Sequence, residues 1–186
     1  MLSLLSQICD TVSSNEIPSH TSDKLDDYKG FVRVLDWRIR SLPITRTDTD
    51  DDHTPVLDEQ TMIMYLYQLS LLLLLNRSSN GLIDKPVRTQ QLLDKAFSIF
   101  ARLSSCKQQF PIHVIGCEAR TDEQRAIVLD IISRTENMSS SRSFNYCTRI
   151  LQAVWAQDDL RDGTNLGYRD KLTWVISHCM IVPAFV

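Results

Sequence analysis

Several groups of residues in this chain have types and spacings that could do chemistry, and each implies a different kind. Asp48, Asp50, Asp52 and Glu59 stand where a twelve-residue calcium loop places its carboxylate ligands, at the first, third, fifth and twelfth positions. His53 occupies the sixth position, where the sharp turn wants glycine, and Pro55 removes a backbone donor at the eighth. Pro43 also separates this stretch from any helix before it. A solvated acidic linker is the expected state. His113 and Cys117 lie four apart, so one helix would bring them to a common face, where an imidazole can activate a thiol. His178 and Cys179 are adjacent and would diverge. For these pairs a buried cysteine and a surface histidine are the ordinary outcome.

Asp158, Asp159 and Asp162 form a third group, with carboxylates at i, i+1 and i+4 that can share a helix face. The pattern resembles the Asp-rich motif with which all-α isoprenoid synthases hold magnesium against a diphosphate. Gly163 follows at once, which sets the acids at a helix end, facing the unfavourable pole of its dipole. The second metal-binding motif of such enzymes does not occur in the sequence. Neither does a Gly-x-Ser-x-Gly elbow, a His-Glu-x-x-His pair, a Cys-x-x-Cys pair or a phosphate-cradling Gly-Lys-Ser/Thr turn. The sequence therefore assigns no catalytic, cofactor-binding or metal-ligating residue, and the chain is expected not to be an enzyme. Trp37, Trp155 and Trp174 could line a ligand pocket between helices, but at helical spacing they more often fill a core.

The elements that must carry these residues read as helices throughout. Leu25, Tyr28, Val32, Leu35, Ile39 and Leu42 recur at alternating intervals of three and four, one side of a helix that Pro43 stops. Thr54 and Pro55 form a plausible cap and first helical residue, with Asp58 and Glu59 in the first turns. Residues 62–75 are apolar except for Gln68 and Ser70; this is short of the ~20 residues that cross a bilayer core, so a buried central helix is expected and no membrane. Residues 76–81 punctuate it. Pro86 opens another helix with Leu93, Ala96, Phe97, Phe100 and Leu103 inward. Thr121 and Gln124 fit a capping box for a helix that buries Ile127, Val128, Ile131 and Ile132. Phe144, Cys147, Ile150, Leu151, Val154 and Trp155 make a further stripe, and Tyr168, Leu172, Val175, Ile176 and Cys179 the last. With a short helix near residues 2–11, the sum is an all-α, irregular bundle of about eight helices, a single domain or part of a larger helical one. Its expected organisation is N-terminal helices over 1–45, an acidic loop over 46–54 and a helical core over 55–186.

Composition agrees with that reading and excludes several functions. The chain has 186 residues, 43% of them hydrophobic and only 5 glycines, which suits helices better than a turn-rich sandwich. A net charge of −3 with scattered Lys and Arg leaves no stripe for nucleic acid. Its 5 cysteines are odd in number and widely spaced, as expected of reduced thiols in a reducing compartment.

One stretch carries a family resemblance. Pro111, Gly116, Cys117, Glu118, Ala119, Thr121, Glu123 and Arg125 follow a Pro-hydrophobic-Gly-Cys-Glu-Ala pattern, then Thr, acids and Arg. This resembles a signature of the fungal-specific transcription factor domain, the helical regulatory region of fungal zinc binuclear cluster regulators. Val154-Trp155 before an acidic helix end, and residues 168–186 as a closing helix, are similar to the same family. The likeness runs best over residues 57–186, the C-terminal part of such a region. It implies a helical domain in a nuclear transcription regulator, with roles in activity control, dimer contact or effector response, and no catalytic residues. Members usually carry six cysteines in closely spaced pairs that bind two zinc ions; the five here have no such spacing. The chain is therefore expected to act without its own zinc-cluster DNA-binding module or direct nucleic-acid contact, through transcription regulators, self-association or a small-molecule effector. Within the block, Gly116 is expected to permit close packing, and Glu118 to pair with Arg125 across a break at Thr121.

Overall fold

A computed structural model describes residues 2–13, 22–44, 58–79, 82, 86–138 and 142–160. Seven helices make up the described residues, with no strand among them: α1 (Leu2–Ser13), α2 (Ser22–Arg40), α3 (Glu59–Ser78), α4 (Pro86–Arg102), α5 (Gln109–Gly116), α6 (Asp122–Met138) and α7 (Arg142–Asp159). The expected acidic loop over 46–54 and the expected closing helix over 168–179 lie outside the described residues.

The apolar run of α3 makes it the centre. Leu66, Leu69, Leu71, Leu72, Leu73 and Leu75 are all buried, although they point around most of the helix circumference. A helix that is apolar on every side is stable only when enclosed, and α3 packs against α1 and α2 on one side and α4 and α5 on the other. Its polar interruptions are satisfied internally. Ser70 donates to the Leu66 carbonyl at 2.7 Å, and the Gln68 amide donates to the Ile39 carbonyl of α2 at 2.8 Å. α6 and α7 complete the other end, packing on α4 and α5.

The helix ends correct two expectations. α3 is capped by Asp58, whose side chain accepts the Thr61 N–H at 2.9 Å, so the cap falls four residues beyond Thr54. An aspartate there both satisfies an orphan donor and faces the positive pole, which a threonine does less well. Nor does α3 stop at Leu75. Asn76 continues it because its amide finds a buried acceptor on α4, donating to Thr89 Oγ1 at 2.7 Å. The remaining stripes are where the spacing puts them. Val32, Leu35 and Ile39 of α2, Leu93, Ala96, Phe97 and Phe100 of α4, and all six stripe residues of α7 are buried. The junction from α4 to α5 is fastened to α6: Arg134 donates to the carbonyls of Phe100 and Leu103, and the Cys106 N–H donates to Thr135 Oγ1 at 2.8 Å.

Candidate functional site

The signature block spans α5, the turn after it and the first half of α6. Pro111 lies in the first turn of α5, where its missing N–H has no helical partner to lose. Gly116 ends the helix against α7. A Cβ added there would sit 2.8 and 2.9 Å from the two Leu151 methyl carbons and 3.3 Å from Val128 Cγ1. The Gly116 carbonyl accepts the Trp155 indole N–H at 2.8 Å. Gly116 thus brings α5 and α7 together as expected, and Trp155, buried at 5% exposure, is a core residue. The Thr121 capping box also forms: Gln124 N–H donates to Thr121 Oγ1 at 3.2 Å, and Gln124 Oε1 accepts from the N–H groups of Thr121 and Arg120.

Glu118 does not pair with Arg125. Its carboxylate, 4% exposed, takes a two-pronged contact from Arg77 at the end of α3, at 2.7 and 2.5 Å. Arg125 turns the other way, donating to both oxygens of Asp159 at 2.8 and 2.7 Å while its guanidinium lies 5.7 Å over the Trp155 ring. The cap at Thr121 restarts the chain as a new helix, so the seven-residue interval never becomes two turns of one face. The hydrogen bonds from Arg125 hold the Asp159 carboxyl below its ordinary range, and the same bonds raise the Arg125 guanidinium.

These pairs also decide the fate of the Asp-rich motif. Asp158 accepts from Arg120 at 3.0 Å and Asp159 from Arg125, so the two carboxylates are turned to separate cations rather than to a shared ion. Two arginines at the C-terminal end of α7 offset the unfavourable dipole that the acids meet there. Asp162 lies outside the described residues, as do Asp48, Asp50 and Asp52 of the candidate calcium loop. Glu59, its twelfth position, accepts the Ser104 N–H at 3.0 Å instead, and hydrogen bonding by the Ser104 side chain first and its backbone second lowers the Glu59 carboxyl. Among the described residues, no group of three or more His, Cys, Asp or Glu side chains could hold a metal ion.

His113 and Cys117 are joined through the backbone, the Cys117 N–H donating to the His113 carbonyl at 3.0 Å. Both are buried, and burial pushes the His113 ring down to about 4. A surface histidine was expected here; the apolar environment of α5 encloses it instead. His178, Cys179 and Trp174 lie outside the described residues.

Trp37 departs furthest from expectation. It is 68% exposed, on the side of α2 opposite the buried stripe, with Val34 at 53% beside it and Phe31 at 44% nearer the edge of the stripe. It therefore cannot wall a pocket against residues 62–75 of α3. The signature residues act as packing and ion-pair elements that lock α3, α5, α6 and α7, while Phe31, Val34 and Trp37 leave apolar side chains open to solvent on α2. Sequence reasoning missed Arg77, Arg120 and this surface. The dipole mismatch at Asp158 and Asp159 was the one signal that a cation had to stand nearby.

The family model of the fungal specific transcription factor domain matches residues 1–180, which extends the likeness from residue 57 back to the first residue. Transcription factor iacI of Pestalotiopsis fici is 60% identical over 186 residues, which is 100% of this chain and 46% of that protein. The chain thus spans less than half the length of this curated relative. No solved structure matches it.

Proposed function

The chain belongs to the fungal specific transcription factor domain family, and from that premise we propose that it is a regulatory domain of a nuclear transcription regulator, working by protein contact rather than by catalysis or by touching DNA itself. The observation that carries this reading is the division of labour in the fold. The charged residues Glu118, Arg120 and Arg125 of the signature block are turned to partners on α3 and α7, whereas α2 presents three large apolar side chains to solvent. Apolar surface left open on a folded chain marks a place where another protein sits. The net charge of −3 supports the absence of a DNA contact, since phosphate binding needs clustered Lys and Arg.

Tethering tests it. The whole chain, fused to an unrelated DNA-binding module upstream of a reporter in a fungal cell, should change reporter output several-fold relative to the module alone. The purified chain should not retard duplex DNA at physiological salt. An unchanged reporter together with salt-sensitive DNA retardation would reverse the assignment.

A further inference from the structure

We propose that Ser41 is a phosphorylation site, taken by an arginine-directed protein kinase, and that its phosphate cancels the positive charge beside Trp37 on the outer face of α2. Ser41 closes that helix. Its N–H and its Oγ both donate to the Trp37 carbonyl, at 2.9 and 2.8 Å, and the residue is exposed. Arg38 precedes it by three residues and Arg40 by one. Across the whole sequence, no other serine or threonine has two arginines among the three residues before it. A kinase whose cleft is lined with carboxylates selects hydroxyls by such a pattern, because each guanidinium finds an acid there. The kinase takes its substrate extended. From Leu42 the chain has already left the helix, and Pro43 follows. The last turn is held from within by buried Ile39 and by the Gln68 amide, which donates to the Ile39 and Arg40 carbonyls. That turn must open first, and the modification rate follows the opening.

In the transfer, a bond forms between Ser41 Oγ and the γ-phosphorus of a nucleoside triphosphate as the bond from that phosphorus to the bridging oxygen breaks. The nucleoside diphosphate leaves, and the hydroxyl proton passes to a carboxylate of the kinase.

The position of Ser41 gives the phosphate its effect. Gly30, Val34, Trp37 and Ser41 follow at intervals of four, three and four, a row along the outer side of α2 with Arg33 on one flank and Arg38 on the other. Arg38 reaches only a neutral amide, Gln7 Oε1 on α1 at 2.9 Å, and Asp36 is held by Arg40 at 2.8 Å. Asp26 and Asp27 lie at the other end of the helix, so the field beside Trp37 is positive. A phosphoserine carries about −2 at pH 7. It has no hydroxyl proton for the Trp37 carbonyl, it stands at the negative pole of α2, and it competes for Arg38 and Arg40. A contact made through Trp37 then meets a dianion where it met two cations.

That Ser41 is modified does not depend on the protein-contact role proposed above; that the modification regulates does. The whole chain is incubated with ATP and the catalytic subunit of an arginine-directed kinase, and phosphate is located by mass spectrometry. It should appear on Ser41 and be absent from Ser41→Ala. Arg38→Gln and Arg40→Gln should each slow the transfer at least tenfold while keeping the native circular dichroism. In the tethered reporter, Ser41→Asp and Ser41→Ala should differ several-fold. A Ser41 left unmodified, phosphate placed elsewhere instead, or arginine variants phosphorylated at the full rate would each overturn the site. A reporter that responds to tethering but equally to both Ser41 variants would overturn the switch. A silent reporter beside a phosphorylated Ser41 would sink the functional reading and leave the site standing.

Discussion

Glu118 is held almost out of reach of water by Arg77, a cation whose own side chain is 37% exposed. That asymmetry makes the two halves of the pair unequal. Arg77→Met leaves a buried carboxylate without its cation and should cost about 3 kcal/mol, within the range for breaking buried pairs. Glu118→Gln leaves a guanidinium that can still turn to solvent and keep one hydrogen bond, so about 1 kcal/mol is expected. Urea unfolding of both variants at pH 7 measures the order, and the opposite order would refute the burial argument. His113 supplies a pH dependence with a definite sign. Its ring titrates near 6.5 when unfolded and at about 4 when folded. Between those values the unfolded chain binds the extra proton, so this contribution to stability is complete above pH 6.5. It is lost as the pH falls toward 4, by about 3 kcal/mol in all. His113→Gln should flatten the curve in that window. Asp159 acts lower: its folded carboxyl is depressed, so its contribution is present above the ordinary carboxylate range and is lost as the pH falls through the folded value.

Two glycines of opposite meaning show how the elements fit. Gly116→Ala would press a methyl to 2.8 Å from Leu151 and force α5 from α7, at about 1–3 kcal/mol. Gly30→Ala meets open space and should stabilise the chain by about 0.5–1 kcal/mol. Thermal melts separate the signs, and a destabilised Gly30→Ala chain would show that something inside the chain needs that glycine. What could be read from sequence at this scale was what is local. The stripes of α2, α4 and α7 are set by a helical period that neighbouring residues write directly. The Thr121 capping box is likewise a four-residue pattern, and it forms. Trp37 was misplaced because an aromatic was assumed to go inward, yet Leu35 and Ile39 already fill the inward side and Trp37 falls opposite them. The partner of Glu118 was out of reach for a different reason. Arg77 is 41 residues away, and only the packing of α3 against α5 brings it near.

The described residues share one continuous core, running from Leu4 and Ile8 of α1 through α3 to Trp155 of α7, and a single core should open as a single unit. The cysteines can report this. Cys9 is exposed on α1, whereas Cys106, Cys117 and Cys147 are buried in three different places: the junction after α4, the end of α5 and the middle of α7. Burial raises the Cys106 thiol to about 11 and the Cys147 thiol to about 12, so the reactive thiolate is both scarce and enclosed. In a Cys179→Ser chain, which removes the cysteine outside the described residues, a thiol reagent should label Cys9 at once. The other three should react slowly and at one common rate that rises with urea along one common slope, because each must wait for the same opening. A Cys147 that labels ahead of Cys106 with a shallower slope would mean that α7 detaches alone. The contacts of Arg120 and Arg125 with Asp158 and Asp159 would then be a seam between two units rather than part of one interior.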